Sequence, residues 1–119
     1  MRNFRKLDVW NDSRKLVKET YSITKLLPDT EKYGLISQIN RCVISIPANI
    51  AEGSAKDSQK DFVRFLQISL GSAFELETHI ILCEDLEFLN SSITTSLIEK
   101  IQILQKRISS LIKYNKSKL

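Results

Sequence analysis

The sequence predicts an all-α protein, folded as an antiparallel up-down-up-down four-helix bundle. Three glycines and two prolines in 119 residues are too few for the turns of a sandwich or barrel. Apolar residues recur at helical three-four spacing in four long segments. The connections between these segments are short, and short connections place consecutive helices side by side in opposite directions. At this length we expect residues 1–119 to form a single domain.

The first helix is predicted over about residues 9–27. Trp10 and Leu16 belong to its wide apolar face, and several bases lie on the opposite side. Pro28 marks its end, because the residue before a proline avoids the α conformation.

The second helix is predicted over about residues 31–52, with Gly53 as its stop signal. Its apolar seam consists of Ile36, Ile39, Val43, Ile46 and Ile50. Pro47 lies inside this pattern, where it removes one backbone hydrogen bond. Because the helical period continues through Pro47, we expect one helix that is bent there.

A polar stripe follows the same helix beside its apolar seam. It consists of Gln38, Arg41, Ser45, Asn49 and Glu52. One interpretation is a solvated face, and another is a contact site for a ligand or nucleic acid. In a third, structural interpretation, Ser45 and Asn49 reach carbonyl groups that the proline frees near Val43. Arg41 then pairs with an acid across a helix contact, which can fix register. The candidate acids are Glu52, Glu75 and Glu77.

The third helix is predicted over about residues 59–85, where Ser58 and Asp61 resemble a capping box. Its main apolar seam consists of Phe62, Phe65, Leu66, Ser69, Ala73, Leu76, Ile80 and Cys83. A second seam consists of Val63, Leu70, Phe74 and Ile81. A helix with two apolar seams needs two neighbours, so the second seam predicts self-association. Gly71 belongs to a stretch of small residues that would let a neighbouring backbone come close.

The fourth helix is predicted over about residues 93–114, capped by Asn90 or one of the two serines after it. Its seam is the most regular heptad pattern of the chain. The seam consists of Leu97, Ile101, Leu104, Ile108 and Leu111.

The sequence gives little reason to propose catalysis. His79 is the one histidine, and a bundle di-metal site needs two Glu-x-x-His motifs, so we expect no metal, no cofactor and no enzymatic activity. Cys42 and Cys83 lie in apolar surroundings, where a free thiol behaves as a small hydrophobe. Without a secretion signal or a membrane-length apolar run, we expect reduced thiols and a cytoplasmic location, with no membrane partner.

Basic residues gather near the start of the chain, which has a net charge of +4. They are Arg2, Arg5, Lys6, Arg14, Lys15, Lys18 and Lys25. Such a run is either a solvated helix face or a surface for nucleic acid. Because the chain lacks the known sequence-reading motifs, binding would be to the backbone or to shape.

The segment from Ser45 to Gly53, Ser-Ile-Pro-Ala-Asn-Ile-Ala-Glu-Gly, resembles the hallmark of the bacterial 23S rRNA-intervening-sequence protein family. Further similar segments cover nearly the whole chain. They are Phe4–Trp10, Leu27–Pro28, Glu31–Leu35 with Gln38 and Arg41, Arg64–Leu66 and Gly71–Glu77.

This resemblance implies a four-helix bundle that assembles into a ring-like homopentamer. Genes of the family lie in intervening sequences of ribosomal RNA genes and elsewhere, and a similar protein of diversity-generating retroelements is thought to bind nucleic acid. No catalytic residues are established for the family. The sequence therefore predicts a non-enzymatic oligomeric bundle that binds RNA or another nucleic acid through basic faces. The alternative is a protein-interaction scaffold, in which the polar stripe and second seam serve only assembly or a protein partner.

Overall fold

The computed structural model describes residues 2–119 as an all-α bundle of four helices packed against one another. The helices are α1 (Asp8–Thr24), α2 (Leu35–Ser54), α3 (Gln59–Asp85) and α4 (Ser91–Lys116). Short 3-10 turns, at Phe4–Lys6 and Asp29–Glu31, precede α1 and α2. The all-α prediction is confirmed. Within the described residues, no helix has the length and apolarity required to cross a membrane.

The starts of α3 and α4 are capped by polar side chains. Ser58 Oγ accepts a hydrogen bond from the Asp61 amide at 3.1 Å. Asn90 Oδ1 accepts one from the Ile93 amide at 2.9 Å, so α4 begins two residues earlier than predicted. Each cap satisfies an amide that has no partner within its helix, typically worth about 1 kcal/mol.

The bounds of α2 differ from the prediction at both ends. It begins at Leu35, because Asp29–Glu31 forms a separate 3-10 turn, and the Glu31 carboxylate accepts a bond from the Leu35 amide at 3.2 Å. Gly53 is not a stop signal, since α2 continues through it to Ser54. The helix also runs through Pro47 without interruption; a bend there stays a prediction.

Gly53 instead allows α2 and α3 to approach closely. A Cβ atom at this position would lie 2.7 Å from Phe65 Cβ and 3.3 Å from Phe62 Cδ1. Both phenylalanines are in the main seam of α3, every member of which is buried. Glycine is therefore required here by packing rather than by backbone conformation.

The core lies between α2 and α3 and extends to α4. α2 packs most extensively against α3, and α1 packs least against α4. Ile39, Val43, Ile46 and Ile50 of α2 are fully buried. The buried Ser69 hydroxyl donates to the Ile46 carbonyl at 2.9 Å, one residue before Pro47. That bond satisfies a polar group which would otherwise be costly to bury.

The turn from α3 to α4 contains the one non-glycine residue with positive φ among those described. Glu87 has φ of 62°. The Phe88 amide donates to the Cys83 carbonyl at 2.9 Å and the Glu87 amide to the Glu84 carbonyl at 2.9 Å. These two bonds define a Schellman motif, in which the left-handed position is usually glycine.

Candidate nucleic-acid interface

The outer face of α1 carries a line of exposed cations. Arg14 and Lys18 are in α1 and Lys25 is its C-cap residue, and their spacing of four and seven residues places them along one side. We call these three residues the basic stripe. Tyr21 lies on the same side and is 37% exposed. Within residues 2–119, none of the three cations makes a salt bridge.

Acids on another side of α1 are neutralised by α4. Lys100 of α4 forms a salt bridge with Glu19. Arg107, two turns further along α4, forms one with Asp12. The cations of α4 therefore offset two of the acids of α1, and the basic stripe keeps its own positive charge. Exposed pairs of this kind add little stability, so their main effect here is on the charge of the surface.

Lys15 and Lys6 point away from the basic stripe and line the shallow groove between α1 and α4. One part of the groove, about 320 Å³, is lined by Lys15, Ile103 and both salt bridges. The next, about 660 Å³, is lined by Lys6, Lys106 and Arg107. Arg5 is exposed near the start of α1. These three predicted cations are thus accessible, and Lys6 and Lys15 lie along the groove and not along the stripe.

Arg2 is partly buried and bonds within the protein, and its role as a nucleic-acid contact stays a prediction. Its guanidinium donates to the Lys56 carbonyl at 3.0 Å and to the Gln59 side-chain oxygen. It also lies 4.2 Å above the centre of the Phe62 ring. These contacts engage two of the five N–H donors of the guanidinium and one of its faces.

The polar stripe of α2 is partly engaged with its own helix. Ser45 Oγ donates to the Cys42 carbonyl at 2.6 Å, and Asn49 Nδ2 donates to the Ser45 carbonyl at 2.8 Å. Both side chains therefore form the hydrogen bonds expected near Pro47. The acceptors are the Cys42 and Ser45 carbonyls, and not the Val43 carbonyl. Pro47 itself is half-buried.

Arg41 does not form the predicted ion pair. It is exposed and makes no salt bridge within residues 2–119. Of its candidate partners, Glu52 is exposed, and the Glu75 carboxylate lies 3.1 Å from His79 Nε2. The third, Glu77, accepts hydrogen bonds from the side-chain amides of Gln102 and Gln105. Gln38 is also exposed, so two of these five positions are engaged and three face solvent.

The two thiols are held protonated. Burial, with the nearby Glu75 carboxylate, raises the pKa of Cys42 from its ordinary 9.0 to about 12. Burial, with Glu31, raises the pKa of Cys83 to about 11. The Cys42 thiol donates to the Ser72 carbonyl at 3.0 Å. A nucleophile or metal ligand must be a thiolate, so both residues are suited to the core.

The second seam of α3 divides into a buried and an exposed half. Val63 is buried and Leu70 packs half-buried against the core, so neither needs another molecule. Phe74 and Ile81 are 54% and 41% exposed. A Cβ atom on Gly71 would meet nothing within 4 Å, so Gly71 itself has no close neighbour among the described residues, although the adjacent Ser72 carbonyl accepts from the Cys42 thiol at 3.0 Å.

Two apolar residues that the sequence analysis did not single out extend this surface. Ile68 and Leu82 of α3 are 42% and 41% exposed. We call Ile68, Phe74, Ile81 and Leu82 the exposed α3 face. Their spacing follows no single seam, which is why periodicity alone did not find them.

A family model described as "23S rRNA-intervening sequence protein" matches residues 5–110. The chain belongs to this family. A structural neighbour with 28% sequence identity and a TM-score of 0.82 is a protein of unknown function from the S23 ribosomal protein family of Bacteroides thetaiotaomicron. The match covers 88% of this family member and 95% of the neighbour. None of the curated proteins compared with the chain matches it.

Proposed function

We propose that this family member is a non-enzymatic, oligomeric bundle that binds RNA or another nucleic acid through its basic surface. The observation that carries the proposal is the uncompensated basic stripe: α4 offsets acids of α1 while Arg14, Lys18 and Lys25 stay free of salt bridges. Three aligned cations attract a polyanion without reading its bases. The role is accessory: holding or presenting an RNA or an RNA-bound partner.

The proposal is tested by fluorescence anisotropy with a structured RNA at two salt concentrations. Each phosphate contact releases counterions, so about six contacts lower the affinity about 10³-fold between about 50 and 200 mM salt. Absence of binding at about 50 mM salt, or binding that does not depend on salt, would refute the proposal.

Self-assembly is the second part of the proposal, and five copies are the number that the family resemblance implies. Support comes from the exposed α3 face, whose aromatic and aliphatic side chains are 41–54% exposed and lie outside the hydrophobic core. Clustered exposed apolar side chains are typical of interaction surfaces.

Replacing Phe74 by glutamate places a charge on this face, and we expect light scattering to show smaller particles than the wild type forms. Ile103→Glu is a matched control, because Ile103 is also 54% exposed but lies on α4 beside the α1 groove. A monomeric wild-type protein, or equal effects of both substitutions, would contradict assembly through α3.

The same α3 face supports an alternative function, a scaffold for a protein partner with no nucleic-acid role. Affinity capture with and without nuclease separates the two functions. A partner that stays bound after nuclease treatment, together with no RNA binding by the purified protein, favours the scaffold.

A further inference from the structure

Charge is distributed unevenly along the bundle, which is 45 Å long. Three contacts establish which residues share one end of the bundle. They join Asp12 to Arg107, Ser69 to Ile46 and Gln59 to Asn115. That end comprises residues 2–14, 46–68 and 105–119, which hold twelve Lys and Arg but five Asp and Glu. The other residues hold six Lys and Arg and nine Asp and Glu. One end of the molecule is therefore strongly basic and the other mildly acidic.

The basic end is a joined surface, because polar contacts connect the segments that form it. The Arg2 amide donates to the Ser54 carbonyl at 3.2 Å, and its guanidinium bonds Lys56 and Gln59. Gln59 Nε2 donates in turn to Asn115 Oδ1 at 2.5 Å. The start of the described chain, the α2–α3 turn and the end of α4 are thus linked.

Six cations on these segments form what we call the basic pole. They are Lys56, Lys60, Arg64, Lys113, Lys116 and Lys118. All except Lys56 are exposed. Arg64 lies 3.8 Å from Asp61, and the other five make no salt bridge within residues 2–119. No acid occurs between Lys100 and Leu119, so α4 adds cations here without offsetting charge.

We infer that the basic pole binds the phosphate backbone of the nucleic acid together with the basic stripe. This inference rests on the proposed function and enlarges its site. Lys or Arg contacts to phosphate add to affinity and to its salt dependence, independent of sequence. The pole holds twice as many cations as the stripe and lies at the end of the bundle from which α1 starts. A polyanion on the stripe can therefore continue onto the pole.

The test compares two variants that each lose three exposed, unpaired charges. The pole variant is Lys60→Gln, Lys113→Gln and Lys116→Gln, and the stripe variant is Arg14→Gln, Lys18→Gln and Lys25→Gln. Lys32→Gln, at the opposite end, is the control. Circular dichroism checks that each variant is folded. We expect the pole variant to bind the structured RNA at least about tenfold more weakly at about 100 mM salt, with a salt slope smaller by about two to three. The control should bind like the wild type.

The outcomes separate this inference from the proposed function. Wild-type affinity in the pole variant, combined with weak binding by the stripe variant, would overturn the pole and leave the proposed function standing. Absence of binding by the wild-type protein would overturn both. Unchanged RNA affinity with lost self-association in the pole variant would also overturn the inference, because the pole would then contact another copy.

Discussion

At the scale of single residues, Glu87 adopts a conformation that its side chain disfavours. Its φ of 62° is imposed by the two hydrogen bonds that close the Schellman motif after α3. A Cβ atom in the left-handed region costs roughly 1 kcal/mol, which glycine does not incur. The position therefore holds a small, removable strain.

Replacing Glu87 by glycine is expected to raise the free energy of unfolding by about 0.5–1 kcal/mol. The relief of backbone strain in the folded state outweighs the greater conformational entropy that glycine gives the unfolded chain. Urea denaturation measures the change. Glu87→Ala is the matched control, since it removes the same charge but keeps the Cβ atom. Equal effects of both substitutions would show that charge, not conformation, determines the stability.

The two thiols give a second prediction at this scale. Cys42 and Cys83 should not react with a thiol reagent at pH 8 until the protein unfolds, because burial raises the pKa of each. The unfolded chain loses these protons near pH 9, whereas the folded protein retains them to about pH 11 or 12. The free energy of unfolding should therefore fall as pH rises above about 9.

Urea titrations at pH 8 and pH 10 measure this decrease, and Cys42→Ala should make it smaller. Rapid labelling of the native protein at pH 8 would contradict the assignment of both thiols to the core.

At the scale of helices, the packing of α2 on α3 depends on Gly53. Gly53→Ala would place a methyl group 2.7 Å from Phe65 Cβ, so the two helices must separate. We expect a loss of about 1–3 kcal/mol in the free energy of unfolding, as for other overpacked cores. Thermal and urea denaturation measure it.

Gly71→Ala is the control for that experiment, because its Cβ would meet nothing within 4 Å. Alanine in an exposed helix interior should stabilise the protein by about 0.5–1 kcal/mol. A destabilised Gly71→Ala protein would indicate that a second molecule covers this part of α3. A Gly53→Ala protein as stable as the wild type would show that α2 and α3 adjust without cost.

At the scale of the whole molecule, apolar periodicity was enough to predict four helices and nearly all the core. Every residue of the main seams of α2 and α3 except Ile36 is buried, because burial on one side of a helix imposes three-four spacing. The residues at which helices begin and end were harder to predict. Asp29–Glu31 forms its own turn through local bonds, including that of the Glu31 carboxylate with the Leu35 amide, whereas Gly53 stays helical where α2 packs closely on Phe65.

The candidate site was only partly predictable. The basic stripe follows from spacing along α1 alone. Whether a cation is free depends on residues distant in sequence: Arg2 is engaged by Lys56 and Gln59. Two cations of α4 form salt bridges with Asp12 and Glu19 of α1, and these pairings cannot be inferred from the order of residues along the chain. The α4 part of the basic pole is visible in the sequence as bases without acids from Lys100 onward, whereas its connection to Lys56, Lys60 and Arg64 required the folded chain.

The uneven distribution of charge affects how the molecule approaches a partner before any contact forms. Electrostatic potential in physiological salt decays over about 8 Å, far less than the 45 Å length of the bundle. An approaching polyanion therefore interacts with the charges of one end of the bundle at a time. At the basic end the attraction is stronger than the net charge of +4 suggests. For the proposed nucleic-acid partner, this uneven charge would favour encounters in which the basic end of the bundle faces the polyanion.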